Sequence, residues 1–208
     1  VKIRAANRIG SGAASGAVAG IPTRVPYAPS ITSITPGDQR LTVSFTQGAN
    51  GGTATTTLRW STNGGISWTA RQLDSTSSPL IISGLTNGTA YPIKIQMVNA
   101  RGNGDPSTFV NGTPSTKPGV PIIASITSGN RSLTVAVTAP GNDGGAAISH
   151  YEYSLDNGAT WTAESSVVST GSFQVSALTN GTTYAVKVRA VNARGESVAS
   201  SAMNGTPS

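Results

Sequence analysis

The chain has 208 residues, with 14 Lys and Arg against 8 Asp and Glu for a net charge of +6, 25 Gly, 12 Pro and no Cys. Without cysteine there is no disulfide framework, no cysteine-based zinc site and no thiol nucleophile. No apolar run approaches the length of a membrane span and no signal-peptide pattern is present.

The chain opens with VKIRAANRIG at residues 1–10, and the string returns as IKIQMVNARG at 93–102 and VKVRAVNARG at 186–195. Val1 corresponds to Ile93 and then Val186, Leu41 to Leu133, and Trp68 to Trp161, so the internal period is 92 or 93 residues, the size of one domain. Pro22, Pro26 and Pro29 return as Pro114, Pro118 and Pro121. The stretches IPTRVPYAPS and TPSTKPGVP therefore read as linkers that begin each unit. These offsets divide the chain into residues 1–23, 24–116 and 117–208. The first piece holds only the end of a unit, and this start, without an initiator Met, implies a section of a longer multi-repeat chain.

The predicted elements are all strands. RLTVSF (40–45), YPIKIQMV (91–98), SLTVAV (132–137) and YAVKVRAV (184–191) alternate apolar and polar residues at period two between Gly, Asn and Pro punctuation. STNGGISW (61–68) and SLDNGATW (154–161) place Asn-Gly between two strands, a hairpin signal. No segment keeps a helical period. Short strands punctuated by turns predict an all-β architecture of tandem seven-stranded Greek-key sandwiches.

The positive charge does not form a nucleic-acid surface. Residues 1–23 carry Lys2, Arg4 and Arg8 without an acid, residues 24–116 carry six basic residues against Asp38, Asp74 and Asp105, and residues 117–208 carry five of each sign. The cations alternate along strands as KIR and KVR, the pattern of a solvated sheet face rather than a basic stripe with interleaved aromatics. No nucleic-acid partner is expected.

The strings LTNGTAY (85–91) and LTNGTTY (178–184) give the fold a more specific form. They resemble the corner between strands E and F of the fibronectin type III family, and the VNARG and NGTPS strings resemble its strand F exit and its terminus. The YEYSLDNGATW string (151–161) resembles bacterial extracellular copies of that module. The resemblance implies immunoglobulin-like sandwiches with Leu85 and Leu178 in the core. It also implies that the Tyr91 and Tyr184 hydroxyls bond back to upstream backbone, so that Phe at either position leaves a buried backbone acceptor unpaired. A Trp that the family places in strand B is replaced by Phe45 and Val137. Trp68 and Trp161 are expected to supply the missing bulk from strand C′, or else to stand exposed as ligand platforms.

Candidate chemistry is sparse. His150 is the one histidine, so no Ser-His-acid triad can recur. Asp38, Asp74 and Asp105 have no acidic counterparts at Asn130, Val167 and Ser197, and Asp143 and Asp156 read as turn residues. No catalytic, cofactor-binding or metal-binding residue is expected, and no cofactor. Asn87, Asn111, Asn130, Asn180 and Asn204 open glycosylation tripeptides, but four of the five are Asn-Gly pairs that turns would explain. Arg101-Gly102-Asn103 and Arg194-Gly195-Glu196 miss the Arg-Gly-Asp integrin tripeptide.

The expected function is non-enzymatic: a structural repeat segment of an extracellular or cell-surface protein or filament, acting as spacer and assembly module. Its partners would be further repeats of the same chain and neighbouring copies in a polymeric assembly. The alternative is a polysaccharide-binding module of a secreted enzyme or adhesin, presenting Trp60, Trp68 and Trp161 or the KIR and KVR faces.

Overall fold

The computed structural model describes residues 1–20, 22–71, 75–164 and 171–208; Asp74 and Val167 lie outside the described residues. Among the described residues every regular element is a strand, and no helix is long and apolar enough to cross a membrane. By contact density the chain divides into two compact units. One comprises Val1–Ser33, Ser44–Pro79 and Pro92–Val110, and the other Ile34–Val43, Leu80–Tyr91 and Asn111–Ser208.

The first unit begins with a hairpin, β1 (Ala6–Asn7) and β2 (Gly10–Ser11), extended by backbone bonds from Gly12 to Ala5, Ser15 to Ile3 and Val18 to Val1. Val1 and Ile3 are 85% and 73% exposed. The unit's sheet is built on β5 (Thr55–Ser61) and β8 (Tyr91–Asn99), with β6 (Thr69–Ala70) outside β5. β9 (Gly102–Asn103) and β10 (Val110–Gly112) lie outside β8. Three further strands, β3 (Ser30–Gly37), β4 (Arg40–Thr46) and β7 (Leu80–Ser83), form a sheet of order β3-β4-β7, and most of it, Ile34–Val43 with β7, belongs to the second unit.

The second unit contains a complete sandwich. One layer is β11 (Ile122–Gly129), β12 (Ser132–Thr138) and β15 (Gly171–Val175). The other has β13 (Ile148–Ser154) and β16 (Tyr184–Asn192) at its centre. It is flanked by β14 (Thr162–Glu164), β17 (Gly195–Glu196) and β18 (Met203–Gly205). Strand for strand this repeats the order of β3 to β10, as the 92- and 93-residue offsets require.

Period-two alternation places one face of each strand inside. Along β12, Leu133, Val135 and Val137 are buried and meet Val175, Phe173 and Gly171 across the sheet. From the facing layer Tyr151, Val186, Val188 and Ala190 complete the core, and Tyr153 closes it with a ring contact to Phe173 at 5.4 Å between centroids. Full burial of each such aliphatic side chain is worth about 1.5–3 kcal/mol, and the two layers need each other to achieve it.

Tyr151 is fully buried, burial pushes its phenol pKa up, and its hydroxyl has no hydrogen-bond partner among the described residues. An unmet buried donor is costly, whereas the same ring without it is apolar throughout. Tyr151→Phe should therefore raise stability by about 0.5–1 kcal/mol, seen as a higher melting temperature; a lower one would show that the hydroxyl has a partner. At the corresponding position the first repeat already has an apolar residue, Leu58, fully buried.

Two sequence expectations are corrected. The Asn-Gly pairs do not make two-residue hairpins: β5 and β6 are joined by residues 62–68, and β13 and β14 by residues 155–161. The left-handed pair is Gly64-Gly65 in the first loop and Asn157-Gly158 in the second, so Asn63 stands one position before it, where the second loop has Asp156. The proline-spaced stretches are not free linkers either. Arg24 N–H donates to Gly51 C=O at 2.9 Å and Tyr27 N–H to Ala49 C=O at 2.9 Å. In the same way Thr116 donates to Gly144 and Gly119 to Asn142, each at 2.8 Å. Each stretch is strapped to the loop that follows its own unit's second strand.

Candidate functional site

The tyrosine corner forms in both repeats with a polarity opposite to the one expected. Thr86 N–H donates to the Tyr91 hydroxyl at 2.9 Å, and Thr179 N–H to that of Tyr184 at 3.1 Å. The hydroxyl is the acceptor, and both threonines are exposed, so water can partly replace it. Tyr184→Phe should accordingly cost only about 0.5–1.5 kcal/mol, with faster amide exchange at Thr179; a loss above that range in thermal unfolding would show that the hydroxyl has a further partner. Leu85 and Leu178 are buried as expected.

The asparagine of the same corner holds the preceding turn. Asn87 Oδ1 accepts Gln39 N–H at 2.8 Å and Asn180 Oδ1 accepts Arg131 N–H at 2.7 Å, which fixes Gln39 and Arg131 in left-handed backbone with φ of 51° and 53°. Asn87 Nδ2 donates to Asp38 and Asn180 Nδ2 to Asn130, so Asp38 serves a turn that a neutral side chain serves equally in the other repeat. Asn87 and Asn180 are turn residues, as expected. Asn111 and Asn204 lie instead in β10 and β18. Their following glycines are needed because a Cβ at Gly112 would lie 2.6 Å from Leu41 Cδ1, and one at Gly205 2.8 Å from Ile126 Cγ2.

A second recurring device was not legible in the sequence. Asn99 and Asn192, the Asn of each VNARG string, are 4% exposed and use both ends of the amide. Asn192 Nδ2 donates to Thr116 C=O at 2.8 Å, Asp143 C=O at 2.7 Å and Ala146 C=O at 3.3 Å, while Oδ1 accepts Arg194 N–H at 2.7 Å. Asn99 does the same for Arg24, Asn50 and Arg101. One side chain thus ties three segments together in each repeat.

The tryptophans do not form a platform. Trp60 falls on the same face of β5 as buried Leu58, opposite to Arg59. Trp68 and Trp161 end the loops before β6 and β14, half-buried on the outer face rather than in the core. Trp68 Nε1 donates to Gly65 C=O at 3.0 Å. The Arg189 guanidinium stacks over Trp161, 4.3 Å from the ring centroid, and is itself paired with Glu152. One face of the Trp161 ring is thus covered by this chain's own guanidinium.

Beneath Trp161 the loop is organised by Ser154 and Asp156. Ser154 Oγ donates to Asp156 and accepts Gly158 N–H, and Asp156 accepts Thr160 N–H and Thr160 Oγ1–H at 2.9 and 2.6 Å. These bonds, first those from the Ser154 and Thr160 hydroxyls, hold the exposed Asp156 carboxyl far below the usual carboxylate range. Because the folded-state pKa is depressed, its contribution to stability is complete at neutral pH and is lost only as pH falls into strong acid. Ser61 and Asn63 build the same loop in the first repeat without a charge.

His150 is half-buried between Ser149 Oγ, 3.0 Å from Nδ1, and Glu152, 3.9 Å from Nε2. Among the described residues no three of His, Cys, Asp and Glu gather as metal ligands would. A cavity of about 450 Å³ is lined by Pro22, Thr23, Arg24, Tyr27 and the 49–52 loop. Its cation, Arg24, is paired with Asp105 at 2.8 Å and stacked over Tyr27 at 4.0 Å.

Within the second compact unit the corner of one repeat meets a loop of the next. Gly88 N–H donates to Pro114 C=O at 2.9 Å, Ser115 N–H to Gly37 C=O at 3.1 Å, and Gly145 lies directly on the Asn87–Gly88 peptide. A Cβ on Gly145 would be 2.3 Å from Gly88 N and 2.6 Å from Asn87 C. The contact is backbone on backbone and demands glycine.

Two antiparallel sheets of order β11-β12-β15 and β14-β13-β16 with β17 and β18, closed by a tyrosine corner, define an immunoglobulin-like sandwich. Residues 117–206 match the family model described as fibronectin type III domain, and this part of the chain is such a domain. Over 116 residues the chain is 31% identical to the Kelch domain-containing protein SSO1033 of Saccharolobus solfataricus, covering 56% of this chain and 16% of that protein. It spans about a sixth of the length of that curated relative. A crystal structure of the FN1–FN3 domains of chicken CNTN1 is similar at 18% identity with a TM-score of 0.41, over 90% of this chain and 67% of that one.

Proposed function

We propose that the chain is a non-enzymatic repeat segment of an extracellular surface protein or filament, acting as a spacer and assembly module. In this reading residues 24–116 and 117–208 are two domains of one type, and residues 1–23 are the last hairpin of a preceding one. Its partners are further repeats of the same chain and neighbouring copies. A single observation carries the reading: the residues that hold turns and straps recur between the repeats with their bonding, while polar cross-strand pairs between the two central strands of a sheet do not all recur. The pairs Asn87 and Asn180, Asn99 and Asn192, Tyr91 and Tyr184, and Ser61 and Ser154 keep both residue type and bonding. Across the central strand pair, Arg59 opposite the buried Gln96 is replaced by Glu152 opposite Arg189. A site for a common ligand would keep its polar side chains, whereas a spacer needs only its fold.

A spacer must hold its ends apart. Small-angle scattering is expected to give a maximum dimension that grows by about 30 Å per sandwich, from strands of roughly nine residues; a folded-back particle would overturn the reading. Retardation in gels containing chitin, cellulose or anionic glycans, weakened by Trp68→Ala and Trp161→Ala, would replace it with the polysaccharide-binding alternative.

A further inference from the structure

The corner that docks Gly145 exists twice. At the occupied copy, Gly88 has φ of 81°, its N–H is bonded to Pro114 C=O, and the Asn87 side chain holds the turn at Gln39. At the other copy, Gly181 has φ of 78°, its N–H is bonded to Pro207 C=O at 2.9 Å, and Asn180 holds the turn at Arg131. Ser115 is tied to Gly37 at 3.1 Å and Ser208 to Gly129 at 3.2 Å. Leu85 and Leu178 brace the two corners through equal 3.0 Å bonds to Gln39 and Arg131. The surfaces differ in occupancy. A Cβ on Gly88 would meet Gly145 Cα at 3.2 Å, while nothing lies within 4 Å of one on Gly181.

The docking partner is duplicated as well. Gly144 and Gly145 have φ of 80° and 78°, with Gly144 strapped by Thr116 and the loop clamped by Asn192 at Asp143. Gly51 and Gly52 have φ of 71° and 83°, with Gly51 strapped by Arg24 and the loop clamped by Asn99 at Asn50. Two glycines in left-handed backbone present main chain with no Cβ in front of it, which is what the Asn87–Gly88 peptide accepts.

We propose that the Asn180–Gly181 corner, with Pro207, is a docking surface for the Gly-Gly loop of a further repeat joined in register directly after Ser208. The proposal rests on reading the chain as a repeat segment. A covalently continuous occupant is specified because the contact is small, and at the occupied junction it is held by the unbroken chain through residues 113–116. The ordering cost of bringing the loop to the corner is then borne by the chain itself.

The test uses an extended chain in which Ser208 is followed directly by residues Arg24–Ser208, since Arg24 corresponds to Thr116. In nuclear magnetic resonance spectra the Gly181 amide is expected to shift relative to the 208-residue chain and to show cross-relaxation with the appended Gly52 α-protons, both lost with Gly52→Val in the appended repeat. A second extended chain, with Ser208 followed by Thr116–Ser208, carries the Gly144–Gly145 loop already seen docked and guards against poor folding of the first. Gly181 resonances unchanged in both extended chains, with the Gly88 to Gly145 contact intact, would overturn the docking surface while leaving the spacer reading untouched. A folded-back scattering profile with the Gly181 contact present would sink the spacer reading alone.

Discussion

Gly145→Ala is expected to detach the corner at Asn87–Gly88 from the loop that lies on it, and Gly181→Ala to detach nothing. Both glycines have φ of 78°, so each substitution carries the same intrinsic penalty for an L-residue in left-handed backbone, about 1–2 kcal/mol. They differ in what the added methyl meets. At Gly145 it would stand 2.3 Å from Gly88 N and 2.6 Å from Asn87 C, which are backbone atoms that cannot rotate aside. At Gly181 it would meet nothing within 4 Å. The clash is relieved most cheaply by parting the two surfaces, because moving the loop alone would break the Thr116–Gly144 and Asn192–Asp143 bonds. Gly145→Ala should therefore lose at least as much stability as Gly181→Ala in thermal unfolding. Only Gly145→Ala should shift the amide resonances of Asn87, Gly88 and Ser115 and speed exchange at Gly88. Unchanged resonances in Gly145→Ala would show that the contact is incidental.

What was legible in the sequence is what local spacing determines. Period-two alternation fixed which side chains of β4, β8, β12 and β16 face the core, because a one-residue slip would turn every one of them outward. The Leu-Thr-Asn-Gly-Thr-x-Tyr spacing located the corner, since the bond spans only five residues. Its polarity is not set by the spacing, which places the two groups together without saying which of them donates. The loops at 62–68 and 155–161 depart from the two-residue hairpin for a related reason. Asn-Gly is a strong turn signal, and it obscured the Ser-x-Asn and Ser-x-Asp pairs whose side chains build a longer loop. The outward placement of Trp161 follows from Arg189, a partner 28 positions away that no local pattern indicates. The glycines of β10 and β18 were assigned to turns because Asn-Gly cannot announce that Leu41 or Ile126 will press against its second residue. The asparagine clamps lay furthest out of reach, because their partners are 46, 49 and 76 residues distant.

The largest expected loss of stability comes from that clamp. Asn192→Ala removes the donor to the Thr116, Asp143 and Ala146 carbonyls and the acceptor for Arg194 N–H, at a position 4% exposed. Each buried group left unmet costs about 1–3 kcal/mol, but the carbonyls belong to surface segments and water can reach some of them once the side chain is shortened. A net loss of about 2–4 kcal/mol is expected, a fall of about 10–25 °C in melting temperature for a domain of this size. Faster amide exchange should appear at Thr116 and Gly144, whose mutual bond depends on the clamp. Asn99→Ala should behave alike, with the effect at Arg24 and Gly51. The aspartate variant separates the role of the donors from that of shape. Asn192→Asp keeps the volume and the acceptor for Arg194 but turns a second oxygen toward three carbonyls, which disfavours the ionised form and raises its folded-state pKa. With the folded pKa above the unfolded value, stability is greatest below the unfolded pKa and is lost as pH rises through the folded one. Asn192→Asp should thus be at least as damaging as Asn192→Ala at neutral pH and should recover part of the loss in mild acid, where a protonated carboxyl donates one of the missing bonds. A melting temperature for Asn192→Asp that stays flat between neutral pH and mild acid, or an Asn192→Ala that melts within a degree or two of the parent, would show that the strap and the loop hold each other without the amide.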